Sequence, residues 1–285
     1  MKKHTEDKRQ EKAKTNKTRR RPSVILLMFI LDLALICAAG KCMYHFFHLP
    51  DPKVEASERK QEIVTDSQKT QKADTEEKAR KEQELLKKQA ADIYSRNREI
   101  LMLVNKTNPI PEDYKTDLID LQDGKNKVAA NIYEDLTAML EAGEKQGYSF
   151  CVISSYRDYA YQQSLIENDV NRYTGNGFSA SEALDKTLEQ VMPAGHSEHE
   201  TGLAVDITAA DYMVLEEDQE DTPDNQWMRT HCREYGFIVR YPKDKEWITQ
   251  ISYEPWHFRY VGKEAAEFLY EHNLSLEEFY ELLEL

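Results

Sequence analysis

Apolar residues alternate with small or polar ones through Gly202-Leu203-Ala204-Val205-Asp206-Ile207. That two-residue period predicts a strand with Leu203, Val205 and Ile207 on one face, toward a core. The opposite face carries Gly202, Ala204 and Asp206, which leaves an open cleft with a carboxylate in it. A helical period runs through Val128, Ile132, Leu136 and Leu140 and predicts a helix over 128–146. The same two rules place strands at 149–155, 237–241, 246–252 and 256–261. They place helices at 159–169, 181–191, 227–235 and 263–285, the last broken near Asn273. Helices and short strands mix without a regular βαβ rhythm. The expected class is therefore α+β, a compact domain with a small, mainly antiparallel sheet flanked by helices.

The N-terminal side follows another pattern. Residues 24–40 read V-I-L-L-M-F-I-L-D-L-A-L-I-C-A-A-G, and apolar character resumes at Met43–Phe47 beyond Lys41. The length is at the short end for a membrane span. Asp32 near its middle costs roughly 2.5–3.5 kcal/mol, which several Leu and Ile at about −0.3 to −0.6 kcal/mol each offset. Residues 1–21 hold ten Lys/Arg against three Asp/Glu. The positive-inside rule then leaves the N-terminus in the cytoplasm and everything after the span outside. The expectation is a basic tail (1–22) and an uncleaved single-pass anchor (23–47) in the cell membrane. The alternative is a secretory signal cleaved near Ala38-Ala39-Gly40.

Residues 51–91 carry ten charges of each sign and few apolar residues, too few to bury a core. Their best structured form is a solvated helix laced with i,i+4 ion pairs, a stalk over 48–91 that holds a domain, 92–285, off the membrane. The whole chain has a net charge of −14. With +7 in the tail, zero in the stalk and Asp32 cancelling Lys41, the domain is left near −21. Such a domain is a poor partner for nucleic acid, whose affinity rests on neutralising phosphates. Cys37 and Cys42 lie in or beside the span, while Cys151 and Cys232 fall in the domain, as a disulfide in an oxidising compartment or as two separate thiols.

The chemistry gathers in two places. His199 precedes the strand that carries Asp206, and a turn at Gly202 can bring the two side chains together. One imidazole and one carboxylate suit zinc, but a catalytic site needs a third protein ligand. His257 supplies it, from a strand where it alternates with Trp256 and Phe258. His199, Asp206 and His257 would hold zinc and leave a position for water. Glu254, just before Pro255 where strand pairing is interrupted, would take a proton from that water and pass it to a leaving amine.

His-Ser-Glu-His-Glu-Thr-Gly-Leu-Ala-Val-Asp-Ile (196–207) with Glu-Pro-Trp-His-Phe-Arg-Tyr-Val (254–261) resembles the VanY-type zinc D-alanyl-D-alanine carboxypeptidases and their L,D-carboxypeptidase relatives. Further matching blocks are Leu103-Val104-Asn105-Lys106, Ser154-Ser155-Tyr156-Arg157 with Gln162, Gly236 to Pro242, and Leu276-Glu277-Glu278-Phe279. The resemblance implies His199, Asp206 and His257 as zinc ligands and Glu254 as catalytic base. It implies that Arg157 meets the substrate near the scissile bond or its terminal carboxylate, a role suited to a forked guanidinium. It also implies Ser197 and Gln162 as hydrogen-bonding partners of substrate, with Thr201 and Trp256 shaping the site. Glu200 stands where the family commonly has Gln, and is expected to set a negative charge beside the metal and bear on substrate preference.

The implied activity is removal of the terminal D-alanine from peptidoglycan stem peptides. L,D-cleavage at a tetrapeptide end is the nearest alternative. A non-catalytic wall-peptide receptor and a membrane-tethered scaffold are readings of other classes, and the intact set of ligands and base argues against the receptor.

Overall fold

The computed structural model describes Lys41, Met43 and residues 52–285, the side chains of 52–70 excepted. The chain divides into two compact units, 1–76 and 77–285. The apolar stretch 24–40 lies outside the described residues, among which no helix is long and apolar enough to cross a membrane. Helix α1 (Pro52–Asn97) contains the division between the units. Within the second unit its first turns are exposed, and an apolar stripe then emerges at Leu86, Ala90, Ile93 and Tyr94. That i,i+4,i+7,i+8 spacing buries one face against Leu101, Val261 and two C-terminal helices, α7 (Lys263–Glu271) and α8 (Leu276–Leu283).

The sheet has four antiparallel strands in the order β3–β4–β6–β5: β3 (Phe150–Ser154), β4 (Ala204–Ala209), β5 (Phe237–Tyr241) and β6 (Glu254–Tyr260). A separate two-stranded ribbon pairs β1 (Leu118–Asp120) with β2 (Lys127–Ala129). Leu203 with Val205 and Ile207 of β4 point into the main core, as their alternation requires. There they meet Phe237, Phe258 and Tyr260 of the sheet, Leu136 and Met139 of α2 (Tyr133–Glu144), and Trp227 and Met228 of α5 (Pro223–His231). Helices α3 (Tyr159–Gly175) and α4 (Ala180–Leu188) pack together beside the cleft, and the single-turn α6 (Glu246–Thr249) precedes β6. The class is α+β.

Several boundaries differ from those the sequence predicts. Residues 128–146 are not one helix: Val128 pairs with Ile119 in the ribbon, a 3₁₀ turn spans Ala130–Ile132, and α2 begins only at Tyr133. Cross-strand pairing overrides the helical period there, and Val128, Ile132 and Leu136 are buried all the same. Residues 246–252 are no strand. Trp247 is 81% exposed, so Trp247, Thr249 and Ile251 share no buried face, and the Glu246 carboxylate closes the turn by accepting the Tyr253 N–H at 2.6 Å. Helix α5 starts earlier than expected, at Pro223, where the Thr222 hydroxyl caps it by accepting the Asn225 N–H. Asn273, at φ +49°, breaks the C-terminal helix where expected. Cys151 and Cys232 are free thiols, and burial pushes that of Cys232 up to about 12.

Candidate active site

Asp206 and His257 are paired residues of the antiparallel ladder between β4 and β6. His199 reaches them from a 3₁₀ turn, Glu198–Thr201, that ends on Gly202 at φ +73°. A Cβ at Gly202 would lie 2.9 Å from the Ala129 nitrogen, so the close approach of β2 and the left-handed backbone both demand glycine. His199 Nε2 is 3.3 Å from Asp206 Oδ2, and His257 Nδ1 is 3.2 Å from Asp206 Oδ1. All three side chains are buried, and one donor atom from each lies within 4.8 Å of the others.

The outer nitrogen of each imidazole is engaged elsewhere, which decides what faces inward. His199 Nδ1–H donates to the Ser155 carbonyl at 2.8 Å, leaving the Nε2 lone pair toward Asp206. His257 Nε2–H donates to Glu198 Oε2 at 3.3 Å, leaving the Nδ1 lone pair inward. Asp206 Oδ1 is buried and accepts no hydrogen bond. Two imidazole nitrogens converging on a carboxylate with one unsatisfied oxygen form a donor set that a zinc ion satisfies. Burial alone would lower His257, yet Asp206 and Glu198 raise it to about 9, so at neutral pH an incoming ion would displace a proton from Nδ1; burial and then Arg157 lower His199 to about 4, which leaves that ring neutral.

Glu254 opens β6, with Oε2 3.6 Å from His257 Nδ1, and burial pushes its carboxyl up to about 8. A cleft of about 580 Å³ reaches Glu254, Asp206 and both histidines, with Arg157, Ser197 and Trp256 on its walls. Arg157 has four side-chain partners: Nη2 donates to Asp206 Oδ2 at 2.8 Å and to His199 Nε2 at 3.2 Å, Nε to Ser154 Oγ at 2.8 Å, and Nη1 to Gln162 Oε1 at 3.2 Å. Gln162 lines the wall but is fully buried, and its amide donates to the Met192 carbonyl at 2.7 Å. It holds Arg157 in place. Thr201 is buried in the turn, where its hydroxyl accepts the Leu203 N–H at 3.1 Å.

Glu200 does not line the cleft. Its carboxylate accepts the N–H groups of Gly195, at 2.8 and 3.1 Å, and Ser197, at 3.3 Å, and so ties down the loop ahead of His199. The expected free charge beside the metal is thus taken up by backbone. The residue that sequence reasoning missed is Glu198. It is fully buried, and its Oε1 accepts Arg240 Nε and Arg259 Nη1, each at 2.7 Å. Burial opposes its ionisation, but the two guanidiniums outweigh burial and hold its carboxyl well below the usual range. The available signal was an arginine flanked by apolar or aromatic residues in each of two strands, Val239-Arg240-Tyr241 and Phe258-Arg259-Tyr260, since a buried cation demands a buried anion.

The VanY family model, described as D-alanyl-D-alanine carboxypeptidase, matches residues 125–263. YodJ of Bacillus subtilis (strain 168) is 33% identical over 264 residues, covering 88% of this chain and 93% of that protein. Among solved structures, the vancomycin-resistance D,D-pentapeptidase VanY of the VanB-type cassette, a variant in complex with Zn(II), is 36% identical, with a TM-score of 0.58 over 64% of this chain and 99% of the other. The LD-carboxypeptidase LdcB is also 36% identical, with a TM-score of 0.57 over 65% of this chain and 86% of the other.

Proposed function

The chain belongs to the VanY D-alanyl-D-alanine carboxypeptidase family, and from that premise we propose that it is a zinc D,D-carboxypeptidase that removes the terminal D-alanine from peptidoglycan stem peptides outside the membrane. The carrying observation is the convergence of His199, Asp206 and His257 at a cleft whose remaining buried carboxylate is Glu254. His199 Nε2, Asp206 and His257 Nδ1 would hold the ion. When bound, zinc supplies Lewis acidity toward the scissile carbonyl and the attacking water.

The chain's own groups do the rest. Glu254, 3.6 Å from His257, takes the proton of the attacking water and delivers it to the departing D-alanine amine. Arg157 receives the substrate's terminal carboxylate through the Nη1 N–H its partners leave free, and Asp206, Ser154 and Gln162 fix the guanidinium before substrate arrives. Ser197 offers a hydroxyl on the cleft wall and Trp256 an apolar face that orients the peptide. The extracellular placement rests on the apolar segment 24–40 and the ten basic residues before it, read as a single-pass anchor.

The likeness to LdcB, equal in identity to the VanY likeness, supports L,D-cleavage of tetrapeptide stems as the second reading. The full chain with one equivalent of zinc should be given muropeptides ending in D-Ala-D-Ala beside others ending in a single D-Ala, and the products read by mass. Loss of one D-alanine from the pentapeptide alone is the expected result. Loss from the tetrapeptide alone would replace it with the L,D reading, and cleavage of neither would overturn both.

A further inference from the structure

We propose that Glu198 is a positioning residue that locks His257 in the tautomer presenting Nδ1 to the metal, and that Arg240 and Arg259 lock Glu198 in turn. The inference rests on the reading of His257 as a metal ligand. It begins with an oddity of burial. The side chains of Glu198, Arg240 and Arg259 have no exposed surface at all. Removing such charges from water is costly, and well-packed apolar residues of similar volume often stabilise a fold as well or better. Stability alone is a weak reason for this cluster.

Its geometry points to His257. Both arginines bond the same oxygen, Oε1, so the lone pairs of that atom are taken. The second oxygen, Oε2, is left for the Nε2–H of His257 at 3.3 Å. The arginines are themselves anchored. Arg240 forks onto Glu277 of α8 at 2.6 and 2.9 Å, and Arg259 donates to the carbonyls of Ile100 and Met102 at 2.9 Å each. His257 and Arg259 lie two residues apart on β6, hence on the same face, and Glu198 spans both. The carboxylate therefore cannot rotate away from the imidazole without leaving two buried guanidiniums unpaired. An ionised carboxylate only accepts, so it permits only the Nε2–H tautomer of neutral His257, which frees Nδ1 for coordination.

The discriminating change is Glu198→Gln in the full chain. The arginines retain the amide oxygen, so the NH2 group turns to His257 Nε2 and makes it an acceptor. The ring proton moves to Nδ1, where it blocks coordination. Zinc affinity, measured by competition with a chromophoric chelator, should fall about 10–100-fold, while thermal unfolding stays cooperative. Glu277→Gln is the control: it weakens the same buried network on the far side of Arg240 and should leave zinc affinity within about threefold. Affinity of a folded E198Q within about threefold of wild type would overturn the proposal, as would equal losses in E198Q and E277Q. Should E198Q fail to fold, ¹⁵N NMR of the zinc-loaded wild type decides through the ring tautomer. An Nε2–H signal for His257 supports the proposal and an Nδ1–H signal refutes it. These readouts do not involve turnover, so they stand or fall apart from the proposed peptidase specificity.

Discussion

Asp206 and His257 face each other across the β4–β6 ladder as a register pair, with Oδ1 and Nδ1 3.2 Å apart. Two of the three candidate ligands thus come from one cross-strand pair, and the spacing of the ladder sets their distance. Chelation should therefore leave far-UV circular dichroism unchanged while lowering the melting temperature. At free zinc near one hundred times its dissociation constant, bound metal contributes about 2.7 kcal/mol. For a unit of this size that corresponds to about 5–11 °C. Calorimetry with and without chelator checks it, and loss of the folded baseline on chelation would mean that the metal builds the site.

Arg157 and Gln162 give a second prediction, because they separate contact with substrate from support. Gln162→Leu removes the brace on Nη1 and leaves the buried Met192 carbonyl without its donor. An unmet buried hydrogen bond costs about 1–3 kcal/mol. Expressed through a misplaced Arg157, this should appear as a fall in kcat/KM of about tenfold. Arg157→Lys, which loses the braced guanidinium itself, should cost about a hundredfold on the same D-Ala-D-Ala peptide. A larger loss in Gln162→Leu than in Arg157→Lys would make Gln162 the direct substrate contact.

How much of this was legible in the sequence follows from which forces are local. β5 was read with its own bounds, and the face of β4 was read correctly, because a two-residue period records burial directly. His199, Asp206, Glu254 and His257 stood out because few residue types perform metal hydrolysis. Val128 was misread because its partner, Ile119, leaves no mark on the periodicity of 128–146. Leu86 and Ala90, the start of the stripe that continues through Ile93 and Tyr94, are hidden in the charged run 51–91, since their burial depends on α7 and α8 far along the chain. Glu198 was silent for the same reason. It has meaning only once β5 and β6 bring Arg240 and Arg259 to it.

Gly202 is where turn, ribbon and strand meet. Any side chain there adopts the left-handed region and pushes into the Ala129 backbone nitrogen at 2.9 Å. Both effects act in one direction, and strained positions of this kind cost about 1–3 kcal/mol each. Gly202→Ala should lower stability by about 2–3 kcal/mol in urea unfolding. Zinc affinity should fall with it, because the displaced turn carries His199. A variant as stable as wild type would mean that β2 yields freely.

The C-terminal helix supplies a test in pH. Glu278 accepts the Ser275 N–H at 2.8 Å, reciprocating the Ser275 cap of α8, and lies 3.0 Å from Lys245 Nζ. Burial would raise its carboxyl, but the capping bond and Lys245 outweigh burial and lower it below its ordinary 4.5. A group lowered on folding binds its proton less readily in the native state. Its stabilisation is therefore full above the unfolded pKa and disappears as pH falls through the native one. Glu278→Gln keeps an oxygen for the Ser275 N–H and loses only the charge, so it should cost about 0.5 kcal/mol near neutral pH, from the helix N-terminal dipole and the partly screened ion pair. The gap between wild type and variant should close as both side chains become neutral in acid. Urea titrations at about pH 7 and about pH 3 would show this narrowing, and a gap that persists in acid would assign the effect to packing of α8 rather than to the charge. The distinction bears on the active site, since α8 also carries Glu277 to Arg240. A helix that loses this charge in acid would loosen the network behind His257 before the sheet itself gives way.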